Sequence, residues 1–347
     1  MSTTITTKSV PSHNGYKPDS LVNTSHRITS SKKQLTIFLF TRGLWLMFLE
    51  LTVVNFGWSF NIHFPYFCLL TIWALGVSMI FLSVLVHFPL KAIFVIGILI
   101  LAGHNALDNI HVPGNSLKAL VWSVLIEPRW SDARDHFTVY HRIIEIGYPV
   151  FSWIGIMTLG YCFGYLYSNK FDAAQRKKWL IIIGYSAIIA FIILRLINIY
   201  GDQRPWSVQK NMVFTILSFI NVTKFPPSLL FTLITLGPSI LFLAYVEKPL
   251  NRFTKIISTY GRVPMFYYLL HLYLIHFLAL FAAELTGNSW RRMIADFPWT
   301  FNVENYGFSL PVVYFIWIAV IVMLYPLCKW YDRYKTGHKE KWWLSYL

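Results

Sequence analysis

Eight apolar stretches, most of about 20 residues or more, run from Leu35 to Trp330, and several enclose an ionisable side chain, notably Arg42, Glu50, Arg195, His271 and His276. The hydrocarbon core of a bilayer is about 30 Å thick, so about 20 helical residues rising 1.5 Å each will cross it. A charge in hydrocarbon costs several kcal/mol unless it faces the bundle interior and finds a partner. The chain therefore reads as an all-α, polytopic membrane helix bundle of about eight transmembrane helices around a polar interior. The expected spans are 35–55, 64–87, 89–104, 143–167, 179–199, 226–246, 264–284 and 308–330.

Composition excludes the soluble alternative. With 56% hydrophobic and 13% charged residues and a mean hydropathy of +0.51, a water-soluble fold would leave far too much apolar surface to hide. The 30 Lys and Arg against 15 Asp and Glu are spread over short loops and form no basic helix with interleaved aromatics, so no nucleic acid is expected as a partner. Cys68, Cys162 and Cys328 fall inside apolar runs without CxxC spacing and read as packing residues; no metal is expected.

Residues 1–34, rich in Ser, Thr, Asn and Lys, read as a disordered polar cytoplasmic tail. Residues 35–335 form the membrane domain, and 336–347 a basic, aromatic C-terminal tail. Placing the N-terminus inside gives the inner segments, such as Arg176, Lys177 and Lys178, roughly twice the Lys and Arg of the outer ones, so both termini are expected in the cytoplasm. Trp and Tyr residues gather at the span ends, as in an interfacial belt.

Two outer segments are long enough to carry function. Residues 105–142 hold Asp108, His111, Trp122, Glu127, Trp130, Asp132, Asp135, His136 and His141, with Leu117 to Ile126 suited to a flat amphipathic helix. Residues 200–225 hold Gly201-Asp202-Gln203-Arg204-Pro205-Trp206 and an apolar run, Met212 to Ile220, too short to span. Together they suit a lid over an outward-facing cavity.

Glu50 and Arg195 lie at similar depth, about 23 Å from the inner face, and are placed to meet, as a structural ion pair or as substrate-binding groups. His104, Asp108 and His111 share one face at i, i+4, i+7 if the third helix continues. They then suit a metal, a general base His104 oriented by Asp108, or a polar helix end among headgroups. His271 and His276 point to different faces, whereas Tyr267 and His271 share one. Arg42 enters at about the depth of His271, so both are placed to meet a ligand from the cytoplasm.

The wording of several segments carries a family resemblance. Thr41-Arg42-Gly43-Leu44-Trp45-Leu46 running to Glu50-Leu51-Thr52-Val53-Val54-Asn55-Phe56-Gly57-Trp58 resembles the bacterial heparan-alpha-glucosaminide N-acetyltransferase-like transmembrane acyltransferases. So do Ile72-Trp73-Ala74-Leu75-Gly76-Val77-Ser78-Met79, Gly103-His104-Asn105-Ala106-Leu107-Asp108-Asn109-Ile110, Leu217 to Leu229, and Tyr260-Gly261-Arg262-Val263-Pro264-Met265-Phe266-Tyr267-Tyr268 with His271. The resemblance runs from about residue 35 to 335.

It implies an enzyme of the bacterial plasma membrane that takes an acetyl group from cytosolic acetyl-CoA, its co-substrate, and delivers it to a sugar or glycan acceptor outside. On this reading His104 and Asp108 are the catalytic pair. Glu50, Asn105, Arg195, Trp206 and Lys224 are candidates for the acceptor, and Arg42, Tyr267 and His271 for acetyl-CoA. The lipid bilayer is the other partner, and a homo-oligomer is left open.

The chain departs from the family pattern at its start. Family members begin with two further spans, the first bearing an Asp-x-x-Arg-Gly motif and followed by a Met-rich helix and a His. Arg42-Gly43 has no Asp at that spacing, and its continuation matches the family's third span. A shortened relative, a shifted start and a chain that works with a separate partner are the readings this leaves. The alternatives to the enzyme are a transporter or flippase with Glu50, Glu145, Arg195 and His104 along its path, or a non-catalytic remnant of the acyltransferase family.

Overall fold

The computed structural model describes residues 32–130, 137–247, 250–294 and 306–346; the tail 1–31 and the loop residues Asp132, Asp135 and His136 lie outside the described residues. Among the described residues six helices are long and apolar enough to cross a membrane, as expected of a multi-pass membrane protein. They are α1 (Lys32–Ser59), α3 (Leu90–Gly103, extended by a 3-10 turn His104–Leu107), α6 (Ala173–Ile197), α8 (Leu229–Val246), α10 (Pro264–Leu285) and α11 (Leu310–Gly337). Between them lie the shorter helices α2 (Thr71–Leu85), α4 (Leu117–Leu125), α5 (Phe151–Phe163), α7 (Met212–Ile220) and α9 (Arg252–Arg262). Helices are thus formed at both places where short ones were expected, Leu117 and Met212.

Side-chain caps fix several starts. Asp172 opens α6 with a capping box, accepting from Gln175 N at 2.7 Å, and Ser228 opens α8 by accepting from Phe231 N at 3.0 Å. Inside α1 the turn Glu50–Val54 is π-helical, and the helix stops at Phe60, which takes a left-handed φ of 49°.

Two expected spans are not helical throughout. Tyr66–Leu69 is a strand, β1, and Arg142–Ile146 another, β3; they pair in parallel, while β2 (Phe137–Val139) pairs antiparallel to β3, giving the order β1-β3-β2. A continuous apolar run reads the same as buried strand or buried helix. The aromatic and β-branched residues Tyr66, Phe67, Ile143 and Ile144 decide for strand here. Asn55, one turn beyond Glu50, lies against the outer edge of β1, donating to Tyr66 O at 2.7 Å and accepting from Cys68 N at 3.5 Å.

Small residues set the tightest helix contacts, as is usual where lipid gives no hydrophobic drive. A Cβ on Gly43 of α1 would stand 2.6 Å from Gly76 O of α2, and one on Gly76 would stand 2.7 Å from Gly43 O.

Contacts pair the helix ends in alternation. Lys32 at the start of α1 donates to His87 O beyond α2 at 3.0 Å, Arg176 of α6 pairs with Glu247 after α8, and Arg262 of α9 with Asp332 of α11 at 2.6 Å. The opposite ends of α3, α6 and α8 meet each other around His104.

Candidate functional site

Two buried charges organise the interior, and they do so separately. Glu50 and Arg195 are each 1% exposed, and the expected ion pair between them is not formed. The Glu50 carboxylate accepts from Trp73 N at 3.0 Å and from Ile72 N. These are first-turn donors of α2, whose own N-cap residue, Leu70, offers no side-chain acceptor. The first N–H groups of any helix lack intrahelical partners and carry partial positive charge, so a carboxylate from α1 stabilises them.

Arg195 does the converse. Its guanidinium donates to Phe219 O at 2.8 Å, Ser218 O at 3.1 Å and Asn221 O at 2.7 Å, the unpaired carbonyls at the end of α7, and to Arg204 O at 2.8 Å. A planar fork of five donors suits this work where a lysine would not. Depth brought the two residues to one level in the sequence reading; each is used instead by a helix end of opposite polarity.

Arg195 thereby fastens the long segment 200–225. Trp206 donates its indole N–H to Arg195 O at 2.7 Å, and Asn198, at φ 58°, exchanges two bonds of 3.0 Å with the Trp206 backbone. Trp206 therefore anchors the segment to the end of α6. Lys224 stays exposed, its ammonium 4.8 Å from the centre of the Phe225 ring, and Phe225 packs edge-on against Tyr148 at 4.8 Å.

His104, Asn105 and Asp108 do converge with this segment. The 3-10 turn at His104–Leu107 ends α3, so the i, i+4, i+7 face does not continue, and His111 turns to Glu127 at 2.8 Å. Asn105 accepts from Leu229 N at 3.0 Å and donates to Asp108 Oδ2 at 2.7 Å. Gln203 donates to Asp108 Oδ1 at 3.2 Å. Tyr200 donates to Ala102 O; desolvation raises its phenol from the ordinary value, keeping it a donor at neutral pH.

Asp108 lies in electrostatic reach of His104 but does not orient it. The Leu101 carbonyl does, 3.0 Å from Nδ1. A carbonyl only accepts, so Nδ1 carries the proton and the neutral ring presents a lone pair at Nε2. Nε2 is buried and makes no hydrogen bond of ordinary length; the Pro227 carbonyl is a further acceptor near the ring, which is 4% exposed.

The residues assigned to acetyl-CoA are placed apart. His271 stacks on Tyr267, ring centres 5.1 Å apart, and Tyr267 packs against the core of α9, α10 and α11. Arg42 lies over Phe38 and beside Tyr346 and Lys335. His276 places both ring nitrogens 2.8 Å from carbonyls, those of Gly57 and Met293, and so ties α10 to the end of α1.

Sequence reasoning passed over Asp202, the main fastener of the strap from Thr223 to Ser228. It accepts from Thr223 N at 2.7 Å, Thr223 Oγ1 at 3.0 Å and Ser228 Oγ at 2.6 Å. The signal was a short acid directly after Gly201, whose φ of 96° marks a tight turn. Among the described residues no three His, Cys, Asp or Glu side chains gather as a metal would need. No protein-family model, curated protein or solved structure matches the chain.

Proposed function

We propose that the chain is an integral membrane acyltransferase that moves an acetyl group from cytosolic acetyl-CoA to a sugar-type acceptor on the outer side. In this reading α2 and α5 cross with the six longer helices, making eight crossings with both termini in the cytoplasm. The ends of α3, α6 and α8 then face outward, and the basic residues near Arg176 and Lys335 face the anionic donor.

The observation that carries the proposal is the buried His104 ring, whose Nε2 makes no hydrogen bond of ordinary length, next in the chain to the polar cluster of Asn105, Asp108 and Gln203 and in electrostatic reach of Asp108. A neutral imidazole of this kind accepts the proton of an acceptor amine or hydroxyl as that group attacks the thioester carbonyl. The carbon–sulfur bond breaks and the proton passes to the departing CoA sulfur. Asn105 and Asp108 supply hydrogen bonds for a hydroxylated acceptor, which enters as the Thr223–Ser228 strap lifts. The transporter reading loses two of its path residues, because Glu50 and Arg195 are committed to helix ends.

Proteoliposomes loaded with acetyl-CoA and given glucosamine outside test this directly. External N-acetylglucosamine is expected, falling at least about 100-fold in folded His104→Gln. No transfer to any of a panel of amino and neutral sugars by folded wild-type protein overturns the proposal, and full turnover by His104→Gln removes the base from it.

A further inference from the structure

The two-faced helix α9 takes no part in the networks around His104, Glu50 and Arg195. Residues 247–251 lead into it from α8, and Val263 alone separates it from α10; both neighbours are long and apolar enough to cross a membrane. In a bilayer α9 therefore lies at the face where α8 ends and α10 begins.

Two contacts fix which way it turns. Tyr260 donates its hydroxyl to Ile321 O of α11 at 2.6 Å, and Arg262 pairs with Asp332 at 2.6 Å. Tyr260 and Val263 thereby close on the core shared with α10 and α11. The same apolar stripe runs back toward the start of the helix through Ile257, Ile256 and Phe253, at i, i+3 and i+4 spacing. There it is uncovered: the three side chains are 54%, 42% and 68% exposed, and Leu250 just ahead of the helix is exposed too.

Cations border the uncovered stripe. Arg252 stands one turn from Ile256 and one turn from Lys255. Both cations are exposed, and neither forms an ion pair among the described residues. Residues 247–263 hold a single acid, Glu247, and it is paired with Arg176 of α6.

We propose that this face of α9 docks on an anionic phospholipid leaflet, with Phe253, Ile256 and Ile257 among the acyl chains and Arg252 and Lys255 at the lipid phosphates. Their long stems carry the two charges to headgroup level while the helix lies lower. An apolar stripe edged by unpaired positive charge is what a helix lying in the plane of an anionic surface presents. A soluble anion would leave the stripe in water, a second copy of this face would set cations against cations, and a zwitterionic leaflet would add a cation for every phosphate. The docking stands independently of acetyl transfer.

Full-length protein with the photocrosslinker benzoylphenylalanine in place of Phe253, held in vesicles of equal phosphatidylglycerol and phosphatidylcholine, tests it; Ile257 takes the crosslinker should the first protein not fold. Mass spectrometry of the adducts should show phosphatidylglycerol at least about fivefold over phosphatidylcholine. The preference should vanish when Arg252→Gln and Lys255→Gln are combined, and in about 1 M salt. A crosslinker in place of Ile189, exposed midway along α6, should take the two lipids equally. Equal yields of the two lipids at position 253, an equal preference at position 189, a preference unchanged in the folded double variant, or adducts to a second copy in place of lipid overturn the proposal.

Discussion

Glu50 and Arg195 show how a buried charge is used without a countercharge. Each meets the unpaired backbone groups of a helix end, where the partial charges of aligned peptide units supply what an opposite ion would. The chemistry required of each position differs accordingly. Gln at position 50 keeps an acceptor for the α2 N–H groups, whereas Leu leaves them buried and unsatisfied. Glu50→Gln is therefore expected to cost less than about 1 kcal/mol and Glu50→Leu about 2 kcal/mol, read from thermal or denaturant unfolding in detergent. Equal losses would mean that the charge, and not the acceptor, is what position 50 supplies. Both residues stood out in the sequence as charges in apolar runs. Their partners did not, because backbone N–H and C=O groups are present at every position and leave no mark in the residue order.

At the scale of the elements, length and apolarity made α1, α3, α6, α8, α10 and α11 legible, whereas α9, with Arg252, Lys255 and Arg262 along it, lay in a segment that read as a loop; the cap at Ser228 can be read directly as a Ser before an apolar run. The strands were hidden within apolar runs of the same character. What joins the elements was also hidden: the bond from Asn105 to Leu229 N spans 124 positions, and no local pattern announces it. The α1–α2 contact gives a sharp test. Because a Cβ on Gly43 or Gly76 would press against the carbonyl oxygen of the other residue, Gly43→Val and Gly76→Val should each destabilise the protein by about 1–3 kcal/mol. Val at Gly160, which has open space around it, should cost less in the same unfolding assay. Similar losses at all three glycines would contradict backbone contact between α1 and α2.

Across the whole molecule, the ends of α3, α6 and α8 form one polar face, and the segment from Asn198 to Ser228 is fastened over His104. Arg195 and Asp202 fasten this segment, so a lid made of it opens only by breaking those hydrogen bonds. Its position also sets a sided prediction: a membrane-impermeant thiol reagent should reach Lys224→Cys from the face opposite to that which exposes Lys177→Cys. Labelling of both from one side would break the alternation of the helices. The central claim, that the two buried charges hold separate helix ends, is tested most directly by hydrogen–deuterium exchange of the whole protein with and without Arg195→Met. Exchange should rise across residues 199–228 and stay unchanged from Glu50 to Leu75, since α7 and its flanking turns lose their anchor while the Glu50 contacts with α2 persist. Faster exchange at both places would show the two charges acting on each other and contradict the account.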